Sequence, residues 1–164
     1  MFKRILVPID GSHTSSLGFA QALALAREQG ATLCVLHIVD ELIVTQGLDS
    51  AMVTAPSYVD ELLDDLRANG RKLLATAVAK AQKAGVATVS ILVETIGHRV
   101  ADAIIAQAKK QRADLIVLGT HGRRGLSRLV LGSDAEGVVR LTRVPVLLIR
   151  SASDVRPRRK QSRK

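Results

Sequence analysis

Two short stretches of this 164-residue chain carry residue types and spacing that could do chemistry. In the first, Gly119-Thr120-His121-Gly122 is followed nine residues later by Gly132-Ser133. Gly119 closes an apolar run (LIVLG) and lets the chain turn sharply. Gly122 leaves room for a ligand to touch the backbone. Gly132-Ser133 opens a helix, whose unpaired N–H groups and positive dipole end favour an anion. Ser133 adds a hydroxyl donor, and Arg123, Arg124 and Arg128 add positive charge. Together these residues describe a phosphate cradle. Any one of the glycines alone is better explained by the fold; the whole set, after a strand, points to a ligand. The second stretch is Pro8-Ile9-Asp10-Gly11-Ser12, which also follows an apolar run.

Other candidates carry less. His13, His37, His98 and His121 are scattered. His37 sits in an apolar run and is expected to be a satisfied core or sheet-end residue. His121 falls in the phosphate loop, where it either donates to a phosphate or orders the loop. No Cys–His or Ser–His–Asp set has a partner fixed by local spacing. Cys34 is the sole cysteine, which excludes an internal disulfide framework and a multi-cysteine metal site; it is expected to be a small buried hydrophobe. Neither G-x4-G-K-[ST] nor G-x-G-x-x-G is present, which argues against a motor ATPase or a dinucleotide dehydrogenase. Asp10-Gly11-Ser12 is faintly similar to the pyrophosphate loop of adenylating enzymes, but that loop needs more glycine and serine.

The elements that must position these residues follow from hydropathy. Apolar, β-branched runs at 4–9, 32–39, 87–94, 115–119 and 144–150 predict strands, the first buried but tolerant of an edge position because of Pro8. Helical periods lie between them. One helix, capped by Ser12, Thr14 or Ser15, runs to Gln29 and is stopped by Gly30; Leu17, Ala20, Leu23 and Ala24 make it apolar nearly all round and hence well buried. From Ser57 apolar residues recur every three to four positions until Gly85, with a bend expected at Asn69-Gly70. Val100 to Ala108 and Ser133 to Leu141 mark two more helices. The alternation predicts one α/β domain over 1–150, an open, doubly wound, five-stranded parallel sheet with helices on both faces, of Rossmann-like type. In such sheets ligands sit beyond the carboxyl ends of the strands, where strand order reverses.

Composition bounds the rest. Apolar residues are 47% and charged residues 24%, ordinary for a globular chain. Aromatics are 2%, which argues against a site built on stacked rings. The net charge is +9, but residues 151–164 hold six Lys and Arg against one acid, Asp154. That basic stretch is expected to be a disordered, solubilising tail. Binding to a nucleic-acid backbone is the weaker alternative, since no aromatic residues lie nearby for base stacking. The opening MFKRILVPID turns charged at Asp10, and no run approaches ~18 apolar residues. The expectation is a reduced, cytoplasmic protein without a membrane segment.

The spacing Gly119-x2-Gly122-x9-Gly132-Ser133 resembles the G-x2-G-x9-G-(S/T) signature of nucleotide-binding universal stress proteins. The opening KRILVPIDGS, the LHIVDE segment, ADLIVLGTHGRRGLSRLVLGS and the closing VPVLLI are similar to that family too, in its order, so the likeness covers about residues 1–150. It implies the adenine nucleotide alpha hydrolase-like variety of the fold, a cytoplasmic homodimer paired through the fifth strand, and bound ATP. Adenine would lie near Pro8, Ile9, Asp10 and Ile38, with Asp10 on the adenosine portion. The sugar and phosphates would run along Leu118, Gly119, Thr120, His121, Gly122, Arg123, Gly132, Ser133 and the backbone of Asp134. Position 134 departs from the pattern, since many nucleotide-binding members carry an uncharged residue there. An inward carboxylate would repel phosphate, with Arg123, Arg124 or a divalent ion such as Mg2+ to offset it; an outward one would leave the backbone N–H to serve the ligand. The implied role is an ATP-holding stress sensor or regulator rather than a dedicated enzyme, with slow hydrolysis or self-phosphorylation at Ser133 or Thr120 as its only chemistry. The alternatives are a dimeric interaction module that does not retain nucleotide and a true adenine-nucleotide hydrolase.

Overall fold

The computed structural model describes residues 1–40, 56–95, 97–120 and 131–151. Five strands are present among them: β1 (Arg4–Pro8), β2 (Thr32–Asp40), β3 (Thr88–Thr95), β4 (Leu115–Gly119) and β5 (Val146–Ile149). Between successive strands lie α1 (His13–Gln29), α2 (Pro56–Lys83), α3 (Val100–Lys110) and α4 (Ser133–Leu141). Every ladder is parallel, and the strand order is β3-β2-β1-β4-β5. The chain therefore winds outward from β1 to β3, crosses back, and winds the other way through β4 and β5. The order reverses between β1 and β4.

Strand side chains alternate between faces, and the alternation divides the interior in two. Ile5 and Val7, Leu33 and Val35, and Leu115 and Val117 face one layer with Phe19, Ala22 and Ala26 of α1 and Leu74, Ala77 and Ala81 of α2. Leu6, Cys34, Leu36, Ile116 and Leu118 face the other, with Ala101, Ile104 and Ala108 of α3 and Val138 of α4. Full burial of each such Leu, Ile or Val is worth about 1.5–3 kcal/mol. The predicted doubly wound, five-stranded sheet is the observed one.

Three local points are settled by the structure. The first strand, expected to be buried and tolerant of an edge, is the middle of the sheet. Its proline is tolerated because of where its missing N–H falls. Ile9 N–H bonds the Leu36 carbonyl at 2.8 Å, toward β2, so the nitrogen of Pro8 faces the opposite way, toward β4. The β1–β2 register runs on to Pro8, whereas β1 and β4 are paired only at Ile5 and Leu6. A proline cannot donate to a ladder, so the two strands part early, at the point of reversal.

The second concerns α1, which buries one stripe (Gly18, Phe19, Ala22, Ala26) and leaves Ala20 and Ala24 exposed. Alanine fits either environment, and its presence at 20 and 24 said nothing about depth. Ser12 is the cap, accepting from Ser15 N–H at 3.1 Å, and Gly30 ends the helix in the left-handed region at φ 64°. The third is α2, which continues through Asn69-Gly70 as one helix. Glycine is worth about 0.5–1 kcal/mol less than alanine in such a position, but its helical conformation is open to it, and packing on the sheet holds it there.

Candidate functional site

At the carboxyl end of β1 the chain turns on Asp10 and Gly11. Asp10 Oδ1 accepts from Ser12 N–H at 2.9 Å, and Asp10 N–H donates to Ser15 Oγ at 3.3 Å. Gly11 has φ +83°, a conformation L side chains rarely adopt. The Asp10 turn and the α1 cap are thus one hydrogen-bonded unit: the same Ser12 that caps the helix takes the carboxylate on its own N–H.

Beside this turn His37 is buried at the end of β2, 4% exposed, with ring Nδ1 2.7 Å from the Ile9 carbonyl oxygen. A carbonyl only accepts, so the proton sits on Nδ1. The expectation of a satisfied sheet-end histidine holds. Its surroundings are less bland than expected. A cavity of about 300 Å3 opens there, at the lower end of the range for small-molecule pockets. Asp10, Gly11 and the β2 residues His37 to Asp40 form one side of it. Two turns of α2, with Leu66, Asn69, Gly70 and Leu73, form the other. Of the expected site residues, Asp10 and Ile38 meet in this cavity, and Pro8 and Ile9 lead into it from β1. The α2 residues were not legible beforehand, because they read as an amphipathic core stripe; only Asn69-Gly70 interrupted it.

At the end of β4, Leu118 is buried and Gly119 half-buried. Gly119 is glycine for a reason other than the sharp turn expected of it. It is absent from the described positive-φ glycines, and a Cβ there would stand 3.0 Å from the carbonyl carbon of Thr14 and 3.1 Å from its oxygen. The start of α1 and the end of β4 touch backbone to backbone, which brings the two strand ends of the reversal together. Thr120 is buried; its N–H bonds the Ile149 carbonyl and its carbonyl accepts from Gly132 N–H, both at 2.9 Å. The loop therefore leaves from and returns to one point, and Gly132 arrives at the rim with its own N–H engaged. His121, Gly122 and Arg123, with Arg124 and Arg128, lie outside the described residues.

Gly132 is the N-cap of α4, with no side chain to cap it. The first-turn N–H groups of a helix have no partner within the helix. Ser133 and Asp134 are exposed on that turn. Asp134 and Glu136 place negative charge where the dipole favours it.

Comparison with known proteins adds an independent line. The family model described as Universal stress protein family matches residues 1–150. A curated relative, universal stress protein YxiE of Bacillus subtilis, is 36% identical over 151 residues, covering 92% of this chain and all of that protein. A crystal structure of a universal stress protein family member from Burkholderia pseudomallei is 35% identical, with TM-score 0.71 and coverage of 90% and 95% of the two chains. The universal stress protein from Archaeoglobus fulgidus, solved in complex with dAMP, shares the fold at 24% identity and TM-score 0.59, covering 90% of this chain and 97% of that one.

Proposed function

The chain belongs to the universal stress protein family, and on that premise we propose that it binds an adenine nucleotide, ATP, at the carboxyl ends of β1, β2 and β4, as a cytoplasmic sensor or regulator in the stress response. The observation that carries this reading is convergence. The Asp10 turn, the cavity beside it and the side-chain-free start of α4 all lie at the carboxyl edge of the sheet, and the contact of Gly119 with Thr14 joins the end of β4 to the start of α1 that follows the Asp10 turn. The dAMP complex of the A. fulgidus protein supports adenine as the base.

The residues present fit such a ligand. Asp10 would take a ribose hydroxyl, Ile38 and the cavity would take the base, and the first-turn amides of α4 with Ser133 would take phosphate, with Gly119, Gly122 and Arg123 along the way. A divalent ion such as Mg2+ would offset the charge of Asp134 beside the phosphates. A second copy pairs along β5. Any turnover is expected to be slow.

The test is direct. The purified protein is denatured, any nucleotide released is identified, and the stripped protein is titrated with ATP by calorimetry. Saturable binding is expected, weakened about tenfold or more (~1.4 kcal/mol) by Gly132→Val. Gly132 has extended backbone angles, φ −61° and ψ 148°, which valine can adopt. A folded protein that binds no ATP would favour the interaction module, and repeated turnovers would favour a hydrolase.

A further inference from the structure

Gly70 does not bend α2, which runs unbroken past it. What the missing side chain supplies is space. A Cβ at position 70 would stand 2.5 Å from His37 Cδ2, 3.1 Å from His37 Nε2 and 3.1 Å from Leu92 Cδ1. The imidazole is therefore seated on the backbone of α2. Its other edge donates from Nδ1 to the Ile9 carbonyl, while Ile9 N–H bonds Leu36. The residue just before Asp10 is held by both of its polar groups, one by the sheet and one by the ring. His37 and Gly70 also border the cavity that holds Asp10 and Ile38, with the exposed Asn69 beside them.

We propose that these two turns of α2 are the specificity wall for the nucleobase, and that His37, seated on Gly70, sets the depth of the cavity and the position of Asp10. The proposal rests on the adenine-nucleotide reading above and adds α2 to a site otherwise drawn from strand ends and the glycine loop. The chemistry matches a purine. Leu66 and Leu73 offer apolar surface to a flat ring, and the Asn69 amide offers a donor and an acceptor, the pair an adenine edge requires. His37 is a positioning residue: it acts through the Ile9 carbonyl and the cavity floor.

The full chain is titrated by calorimetry with adenosine, guanosine, ATP and inorganic tripolyphosphate. Gly70→Ala and His37→Ala should each weaken adenosine and ATP about ten- to a hundredfold and leave tripolyphosphate unchanged. In the His37→Ala background Gly70→Ala should add no further loss, because the ring it displaces is gone. His37→Asn, whose amide nitrogen can stand where Nδ1 stood, should recover part of the affinity lost in His37→Ala. Asn69→Ala, on an exposed helical position where alanine favours folding, should reduce the preference for adenosine over guanosine. If the unmodified protein binds ATP while Gly70→Ala and Asn69→Ala bind adenosine as it does, the wall is overturned and the nucleotide reading stands. Equal loss across all four probes would mean general damage and also overturn it. An unmodified protein that binds no adenine nucleotide removes the underlying reading, and the wall with it.

Discussion

At the scale of single residues, the glycines divide by what their missing side chains permit. Gly11 and Gly30 need the left-handed region. Gly119 and Gly70 instead need closeness: one to the backbone of Thr14, the other to the ring of His37. Sequence spacing cannot separate these cases, because the neighbour that excludes a Cβ comes from a distant part of the chain. This is why Gly119 was legible as special but for the wrong local reason, and why Gly70 looked like a bend. The distinction is measurable. In Gly119→Ala the new methyl meets main chain at the start of α1, which cannot rotate away as a side chain would. The expected cost is about 1–3 kcal/mol, seen as a lower urea midpoint with an unchanged slope. A midpoint within error of the unmodified protein would show that α1 shifts freely and that the contact with Thr14 does not hold the strand ends together.

At the scale of elements, the strands were legible because burial on both faces removes polar residues from them, and α2 because its stripe repeats over many turns. Ends were less so. Strand β5 is shorter than its apolar run, Val146–Ile149 against 144–150, and β2 includes Asp40, a charged residue that hydropathy excluded. Tethers between elements were not legible at all. Arg67 on α2 donates to Glu94 on β3 from Nε and Nη2, at 3.0 and 2.9 Å, and from Nη1 to Asp64 one turn back at 2.9 Å. These hydrogen bonds raise the Arg67 pKa and hold the Glu94 carboxyl below its ordinary value. A carboxyl whose folded pKa is depressed contributes stability above its unfolded pKa, and the contribution is lost as pH falls through the folded value. The pair is at the surface, so its effect is small and screened by salt. Arg67→Ala should therefore lower the melting temperature slightly at neutral pH and low salt. The difference should close at acid pH and in high salt. A gap that persists in acid would mean that Arg67 acts through packing of its stem and not through charge.

At the scale of the whole molecule, the two sheet edges are unlike. Helix α2 is tied to the β3 edge by the Arg67 pair, whereas β5 has β4 on one side and no strand on the other among the described residues. An unpaired edge presents a row of N–H and C=O groups to another chain. Of the four large hydrophobic residues exposed in the described structure, three (Val139, Leu141 and Leu147) fall on β5 and the helix that precedes it. Both observations favour the proposed dimer, in which a two-fold axis sets two β5 strands antiparallel and brings the two Leu147 positions near each other. Glutamate there would place like charges across the axis, which destabilises a strand pair. Sedimentation of Leu147→Glu at neutral pH should show the dimer dissociating about tenfold or more readily (~1.4 kcal/mol), while Thr76→Glu, exposed on α2 toward the opposite, β3 edge, should leave it unchanged. The repulsion requires ionised carboxylates, so the Leu147→Glu dimer should re-form as pH falls through about 4.3, the ordinary glutamate value. A dimer indifferent to Leu147→Glu at every pH would place the interface on another face and leave the β5 edge to some other partner.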